Sequence, residues 1–306
     1  YWQGVTNIVT EEILSDAIKG AISQGYRGSR GIYGAACSIA WTGSSSKSNS
    51  ISHTWELIGY REKEKWGSKR DISASSIHEI GHLDGVFSCH DFDGKVAMVP
   101  NSPCPVLWGF RGTEHKTLID NFDNLGPEKP LRWILYKTNQ ATDDHLRTME
   151  ITDISDGDSV WLEVEVSSKP NVIKGGHRFF KVSDSQGATV KCAAFEPSKT
   201  FRHAIDSLEV GDILIICGSF KNDTINLEKI RILELAKRFS KSANPVCDCG
   251  RRTHSSGKGM RYRCKACGKK YDRPEMIEAT PDLEIGWYEP PASARRHLTT
   301  PVSLMR

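Results

Sequence analysis

Four cysteines towards the carboxyl end of the chain come in two close pairs. Cys247 and Cys249 form the first pair, Cys264 and Cys267 form the second, and each pair is followed by glycine. Two such knuckles typically supply four thiolates to one tetrahedral zinc ion. A segment of about thirty residues buries too little surface to fold alone, so the metal would supply its folding free energy. Because four thiolates leave no position for a substrate, the pattern predicts a structural zinc site.

The spacing of the first pair leaves one alternative open. Cys247 and Cys249 are separated by one residue, whereas two intervening residues are usual in such knuckles. His254 therefore stays open as a ligand that could replace a poorly placed thiolate.

A second candidate metal motif lies at residues 78–82 (HEIGH), which satisfies the pattern of helical zinc proteases. In the extended form of that motif a third histidine follows, but here Ser88 stands at its position and His90 comes two residues late. The flanking residues do not favour an amphipathic helix, and Gly81 lowers helix propensity further. The pattern therefore disfavours a zinc protease, which we keep as an alternative.

Positive charge is concentrated around the cysteine pairs. Cys247–Arg273 holds nine Lys or Arg side chains against two Asp, a net charge of about +7, whereas the whole chain carries +3. Such a cluster predicts an anionic partner, most often a nucleic acid. A merely solvated surface is the alternative.

Length and composition limit the class of protein. The chain has 306 residues, of which 38% are hydrophobic, so two or three domains with packed cores are expected. No apolar run reaches the roughly 20 residues of a membrane span, and no amino-terminal signal segment is visible. With nine mostly scattered cysteines, this favours a cytoplasmic protein over a secreted, disulfide-bonded one. Since residue 1 is Tyr, we expect the chain to be part of a longer polypeptide.

The first half of the chain alternates predicted helices and strands. Thr10 is placed to cap a helix over Glu11–Ser23, and Thr113–Leu125 has helical character. Lys95–Val99 and Leu131–Tyr136 are predicted strands. This order predicts a compact α/β or α+β sandwich without determining its topology.

The middle of the chain has a clearer pattern. Alternating apolar residues at 160, 162, 164 and 166 predict a half-buried strand, and four more strands are predicted after it. Those four are Arg178–Val182, Ala188–Ala194, Ile213–Cys217 and Thr224–Ile232. A helix over Ser198–Leu208, capped by Ser198, lies between the third and fourth strands. Five strands with one helix in this position are typical of an oligonucleotide-binding (OB) barrel.

Long motifs spread along most of the chain, from about Ile8 to its end, resemble one family, the archaeal tRNA 2-agmatinylcytidine synthetases. Besides the cysteine pairs, they are Gly28–Ala36, Pro100–Gly112, Thr138–Leu146, Gly175–Phe180, Val190–Arg202, Asp223–Ile232 and Pro290–Leu298. The resemblance implies a multidomain α+β fold. A ferredoxin-like sandwich would span residues 1–153, an OB barrel 154–238, and a zinc ribbon with the tail 239–306.

The resemblance also implies a function. The family is an ATP-dependent ligase that activates C2 of the wobble cytidine in a CAU-anticodon isoleucine tRNA and attaches agmatine there. Its ATP- and Mg²⁺-binding kinase-like domain, with an aspartate-rich segment, has no counterpart here, so no catalytic residue is expected in this chain. A stand-alone tRNA-binding protein is the remaining alternative.

The implied binding residues fall into two groups. Agmatine is a dication whose pocket needs carboxylates or carbonyls, and our candidates are Asp91, Asp93, Pro103, Cys104 and Pro105. The candidates for tRNA contacts are Arg251, Arg252, Lys258, Arg261, Arg263, Arg295 and Arg296.

Overall fold

The computed structural model describes residues 2–6, 9–22, 30–39, 41–45, 51–91, 93–255, 257 and 261–305. The α-helices among them are α1 Trp2–Thr6, α2 Glu11–Ala17, α3 Arg30–Ile39, α4 Ala74–Ile80, α5 His115–Asn121 and α6 Phe201–Asp206. The first eight strands are β1 Thr54–Tyr60, β2 Val86–Phe87, β3 Val106–Gly112, β4 Arg132–Thr138, β5 Ser159–Val166, β6 Asn171–Val172, β7 Arg178–Ser183 and β8 Thr189–Ala194. The others are β9 Ile213–Lys221, β10 Thr224–Glu234, β11 Arg238–Ala243, β12 His254–Ser255, β13 Tyr262–Arg263, β14 Lys270–Tyr271, β15 Glu275–Ala279 and β16 Gly286–Tyr288. The chain is thus mixed α+β, and no helix in the described part could span a membrane.

Helix α2 begins where its capping signal predicts. The Thr10 hydroxyl accepts a hydrogen bond from the backbone N–H of Ile13 at 3.4 Å, and two glutamates occupy the first turn. The helix ends at Ala17, earlier than the predicted end at Ser23, which lies outside the described residues.

The first sheet is antiparallel and has the strand order β2-β3-β1-β4. Helix α4 connects β1 to β2, and α5 connects β3 to β4. The central strands place Leu57 and Phe110 opposite each other, and both are fully buried. They pack with Ile77 of α4 and Leu118 of α5, so the core lies between the sheet and its helices.

The strand predicted at Lys95–Val99 is wrong. Only Val96 forms an isolated bridge, with His90, because Gly94 turns the chain back on itself with a positive φ of 77°. The backbone N–H of Ala97 donates to the carbonyl of Cys89 at 2.8 Å, which closes a tight turn instead of a ladder.

The second sheet closes on itself into a barrel. Neighbouring strands follow the cycle β5-β7-β8-β10-β9, and β9 pairs back with β5. All of these pairs are antiparallel except β8 with β10, which is parallel. The five predicted strands are confirmed, and their inward residues, such as Val160, Leu214 and Ile230, form one apolar core.

The helix between β8 and β9 begins later than predicted. Ser198 closes a 3-10 turn that contains Pro197, and its hydroxyl donates to the carbonyl of Phe195 at 2.6 Å. Lys199 then adopts a positive φ of 43°, which interrupts the helical path. Helix α6 consequently starts at Phe201, and the prediction of Ser198 as its cap is wrong.

The remaining strands form two small sheets and two additions to the barrel, one of which is β6, paired with β7. Strands β12, β13 and β14 make a three-stranded sheet, and β11 pairs with β15. Strand β16 pairs with β10, which brings the chain back to the barrel before its last residues.

Candidate functional site

Residues 289–300, here called the C-terminal segment, lie between the first sheet and the barrel. The backbone N–H groups of Ala141 and Asp143 donate to the carbonyls of His297 and Leu298, each at 2.9 Å. At its other end, the N–H of Ser293 donates to Oδ1 of Asp91 at 2.8 Å. Hydrogen bonds donated by backbone N–H groups therefore hold the segment against the loops of the first sheet.

Glu228 of β10 joins the same segment to the barrel. Its carboxylate accepts from the Thr299 hydroxyl at 2.6 Å and lies 2.7 Å from Nε2 of His145 and 3.2 Å from Nη1 of Arg296. Burial opposes ionisation of Glu228, but the hydrogen bond and charge of His145, with Arg296 and Thr299, outweigh it and lower its pKa to about 2. The segment is thus anchored to both sheets by buried polar contacts.

Two cavities border the C-terminal segment and share Phe87, Ser88, Ala292 and Arg295 in their walls. The smaller one, of about 400 Å³, contains Glu56, which pairs with Arg111 at 2.7 Å. The larger one, of about 670 Å³, extends towards helix α6 and is called the large cavity below. Its volume is in the range of small-molecule binding sites.

Two carboxylates in the wall of the large cavity each have an oxygen atom without a hydrogen-bond partner in the described part of the chain. Asp91 is 3% exposed, and the side chain of Glu289 is 8% exposed. One buried oxygen of each, Oδ2 and Oε2, has no hydrogen-bond partner within the described part of the chain. Phe201 and Tyr288 add aromatic surface to the same wall. Since buried acceptors are normally satisfied, this wall is suited to a cationic, hydrogen-bond-donating ligand.

The four thiols predicted to bind zinc converge on one point. Their sulfur atoms all lie within 4.8 Å of one another, with 3.4 Å between Cys247 and Cys267 and 3.6 Å between Cys249 and Cys264. Sulfurs bound to a tetrahedral zinc ion at about 2.3 Å would lie roughly 3.8 Å apart. The residues present therefore fit a zinc ion, and His254 is not a member of the group.

The backbone around these thiols explains their convergence. The N–H of Gly250 donates to the carbonyl of Cys247, that of Gly268 donates to the carbonyl of Cys264, and both glycines have positive φ. The N–H of Cys249, with the hydroxyl of Tyr271, lowers the pKa of the Cys247 thiol to about 6. These contacts favour the thiolate form of Cys247, which is the form that metals bind.

Comparison with known proteins identifies the family. The family "TiaS FLD domain" matches residues 29–145, and "TiaS C-terminal zinc ribbon domain" matches residues 244–283. The tRNA 2-agmatinylcytidine synthetase TiaS of Methanosarcina mazei is 38% identical over 94% of this chain. The chain belongs to the TiaS family. The predicted resemblance is therefore confirmed, and the zinc ribbon is the carboxyl-terminal domain of the family.

Other TiaS relatives show the extent of the match. The TiaS of Methanocaldococcus jannaschii is 41% identical over 92% of this chain. This chain spans 66% of the length of that relative and 67% of the M. mazei protein. A crystal structure of TiaS in complex with an isoleucine tRNA, AMPCPP and agmatine, 32% identical, superposes on all of this chain and 72% of that chain, with a TM-score of 0.76.

The residues predicted to bind agmatine do not lie together in the structure of this TiaS-family chain. Asp91 lines the large cavity, whereas Asp93 is exposed on the Gly94 turn and accepts from the N–H of Lys95. Residues 103–105 line neither of the two cavities, and Arg70 donates to both the carbonyl and the sulfur of Cys104. Sequence reasoning missed Glu289, although it directly precedes the family motif that starts at Pro290.

Of the two tail arginines predicted to contact tRNA, Arg295 is buried and Arg296 is partly exposed. Arg295 is paired with Glu289 at 2.6 Å, and its side chain is 7% exposed. Arg296 donates to the hydroxyls of Ser159 and Ser219 on the barrel. A phosphate contact by Arg295 would require its buried pair to open.

The predicted tRNA-binding side chains of the ribbon are accessible. Arg251 and Arg263 are exposed, while Arg252 and Arg261 form exposed pairs with Glu275 and Asp272. Such surface pairs exchange easily with other partners. Lys258 lies outside the described residues.

The motif at residues 78–82 also differs from its predicted structure. Ser73 caps α4 by accepting from the N–H of Ser76, and the helix buries Ile77 and Ile80, so the flank before the motif does form a helix, whereas residues 83–85 after it do not. The helix ends at Ile80, which leaves the second histidine of the motif in the following turn. The structure brings both histidines of the motif close to His90.

Proposed function

We propose that residues 1–306 form the agmatine- and tRNA-binding part of a tRNA 2-agmatinylcytidine synthetase. The enzyme would attach agmatine to C2 of the wobble cytidine of isoleucine tRNA at the expense of ATP. The observation that carries this proposal is the large cavity, whose buried carboxylates of Asp91 and Glu289 suit a dication. Curated relatives named as synthetases support it, and they give no support to a zinc protease or a stand-alone tRNA-binding protein.

We also propose the finer domain assignment. The first unit has the connection order β1-α4-β2-β3-α5-β4 with sheet order β2-β3-β1-β4, which is the split βαβ arrangement of a ferredoxin-like domain. The barrel, with α6 between its third and fourth strands and a parallel contact of its third and fifth, has the arrangement of an OB fold. The division at residues 153 and 238 is part of this proposal.

In this proposal the chain binds and orients both substrates. One end of agmatine would donate hydrogen bonds to Oδ2 of Asp91 and Oε2 of Glu289, and Phe201 and Tyr288 would exclude water from its apolar carbons. The barrel and ribbon would hold the tRNA. We place no catalytic residue in residues 1–306, and ATP with Mg²⁺ would bind in the additional length of the enzyme. The comparison with longer relatives supports this division of labour.

The agmatine pocket can be tested by removing one charge. Asp91→Asn keeps an oxygen to accept from the N–H of Ser293 but removes the negative charge that the ligand would meet. Because a hydrogen bond to a charged group contributes about 1.5–3 kcal/mol, agmatine should bind about 10- to 100-fold more weakly, as measured by isothermal titration calorimetry. Glu289→Gln should act in the same direction.

Asp93→Asn is the matched control, because this carboxylate lies two residues away but outside the cavity. It should bind agmatine like the unaltered chain. Equal affinity of the unaltered chain, Asp91→Asn and Glu289→Gln would contradict an agmatine site in the large cavity.

The tRNA-binding surface can be tested through its salt dependence. Replacing Arg251, Arg252, Arg261 and Arg263 together by Gln should weaken tRNA binding and flatten the plot of log affinity against log salt concentration. The slope should fall by about 0.7–0.9 for each phosphate that is no longer neutralised. Fluorescence anisotropy at several salt concentrations measures both quantities.

The control removes equal charge elsewhere, at four exposed lysines of the first unit, outside both the barrel and the ribbon: Lys63, Lys65, Lys69 and Lys116. Their replacement by Gln should change the slope less. A slope that stays the same in the arginine variant would show that these side chains do not face the RNA.

A further inference from the structure

Three histidines that the proposed function does not use converge at the wall of the large cavity. His78 lies in the last turn of α4, His82 follows in the next turn, and His90 belongs to the tight turn closed by Val96. One ring nitrogen of each lies within 4.8 Å of the others. The ring centres are 4.6–5.2 Å apart.

The distance between the first two rings fits a shared metal ion. Nε2 of His78 lies 3.3 Å from Nε2 of His82. Two nitrogens bound to a tetrahedral zinc ion at about 2.0–2.1 Å would lie roughly 3.3–3.4 Å apart. A hydrogen bond between the two rings would also give this distance, but it would not account for the approach of His90.

The ring of His90 is oriented by the backbone of the next residue. Nδ1 of His90 lies 3.1 Å from the carbonyl oxygen of Asp91, so this nitrogen donates its proton and leaves Nε2 as the free donor of an electron pair. Histidines that bind metals commonly have their second nitrogen engaged in this way.

Gly81 makes the approach of His90 possible. A Cβ atom at this position would lie 2.7 Å from Cδ2 and 2.8 Å from Nε2 of His90, closer than real contacts allow. The glycine that weakens the helix in the motif therefore provides the space for a third ring. Its backbone φ of −62° is accessible to any residue, so a larger side chain is excluded mainly by the His90 ring and also by the carbonyl oxygen of Ile77, which would lie 3.1 Å from the Cβ atom.

We propose that His78, His82 and His90 bind one divalent transition-metal ion, with zinc as the best fit. Neutral imidazoles are preferred ligands of such ions, and three protein ligands leave one tetrahedral position for water. Since His78 and His82 are exposed, the ion would reach the site directly from solvent. This site is separate from the four thiols of the ribbon and does not depend on the proposed enzymatic function.

The experiment is a titration of the full chain, with zinc already bound to its ribbon, by Co²⁺. One further equivalent should bind, with the visible absorption of tetrahedral cobalt and without the near-ultraviolet band of cobalt thiolates. His90→Ala should weaken this binding more than about tenfold, because removing even an outer-shell partner costs 10- to 100-fold in metal affinity. Gly81→Ala should also weaken it, although it removes no ligand.

The control is His203→Ala, which removes an exposed histidine of α6 outside the group and should leave the extra equivalent unchanged. Circular dichroism of each variant confirms that it is folded. Failure of the unaltered chain to bind an extra equivalent would overturn the proposal. Unchanged binding by a variant with all three histidines replaced by Ala would overturn it as well.

Discussion

Replacing Cys264 and Cys267 together by Ser is expected to abolish zinc binding by the ribbon and to unfold residues 244–283. These two thiols are half of a group whose sulfur atoms lie within 4.8 Å of one another. Strands β12, β13 and β14, which surround the thiols, have only two residues each, so this part of the ribbon cannot fold by burial of apolar surface. Metal binding to such domains contributes about 10–16 kcal/mol, and without it they are unfolded.

The loss can be measured as the disappearance of the cobalt–thiolate band after metal exchange, together with proteolysis of the ribbon. The rest of the molecule should stay folded, because the first sheet and the barrel have apolar cores of their own. A chain with Cys37→Ser and Cys104→Ser, two cysteines outside the group, should keep the band. If the Cys264 and Cys267 double variant retained it, the assignment of the zinc ligands would be wrong.

Replacement of Lys229 by Met is expected to destabilise the barrel by about 3–5 kcal/mol, the cost of breaking a buried ion pair by removing one partner. Lys229 is fully buried, and its Nζ lies 2.6 Å from Oδ2 of Asp143 and 3.2 Å from the carbonyl oxygen of Thr300. Its ammonium group also lies over the rings of Trp161 and Trp287. The substitution would remove the positive charge of Lys229 from the buried carboxylate of Asp143.

Guanidinium unfolding followed by tryptophan fluorescence is a direct measurement, because two of the tryptophans flank Lys229. Lys169→Met is the matched control. Lys169 pairs with Glu209 on the surface, where its side chain is 68% exposed, so its loss should cost less than about 1 kcal/mol. Equal midpoints for the two variants would contradict a stabilising role of the buried pair.

Structural features that are determined by residues close together in the sequence could be predicted from it. The alternation at residues 160–166 predicted strand β5, because successive side chains of a strand face opposite sides and only one side of this strand faces the core. The paired cysteines predicted the thiol group, since each pair is brought together by a single turn. The errors at Ser198 and at Lys95–Val99 are also local, and arise from backbone turns at Lys199 and Gly94.

Only the tertiary structure decided which distant residues share a site. Asp91 and Glu289 line one cavity although they lie far apart in the chain, because β16 returns the chain to the barrel and the C-terminal segment after it is hydrogen-bonded to Asp91. The same return buries Arg295 against Glu289, whereas the sequence of the tail predicted an exposed phosphate contact. His90 joins the motif of residues 78–82 through a turn whose position depends on Gly81 and Gly94. No local sequence pattern predicts that these residues share a site, because each contact is determined by the packing of one part of the chain against another.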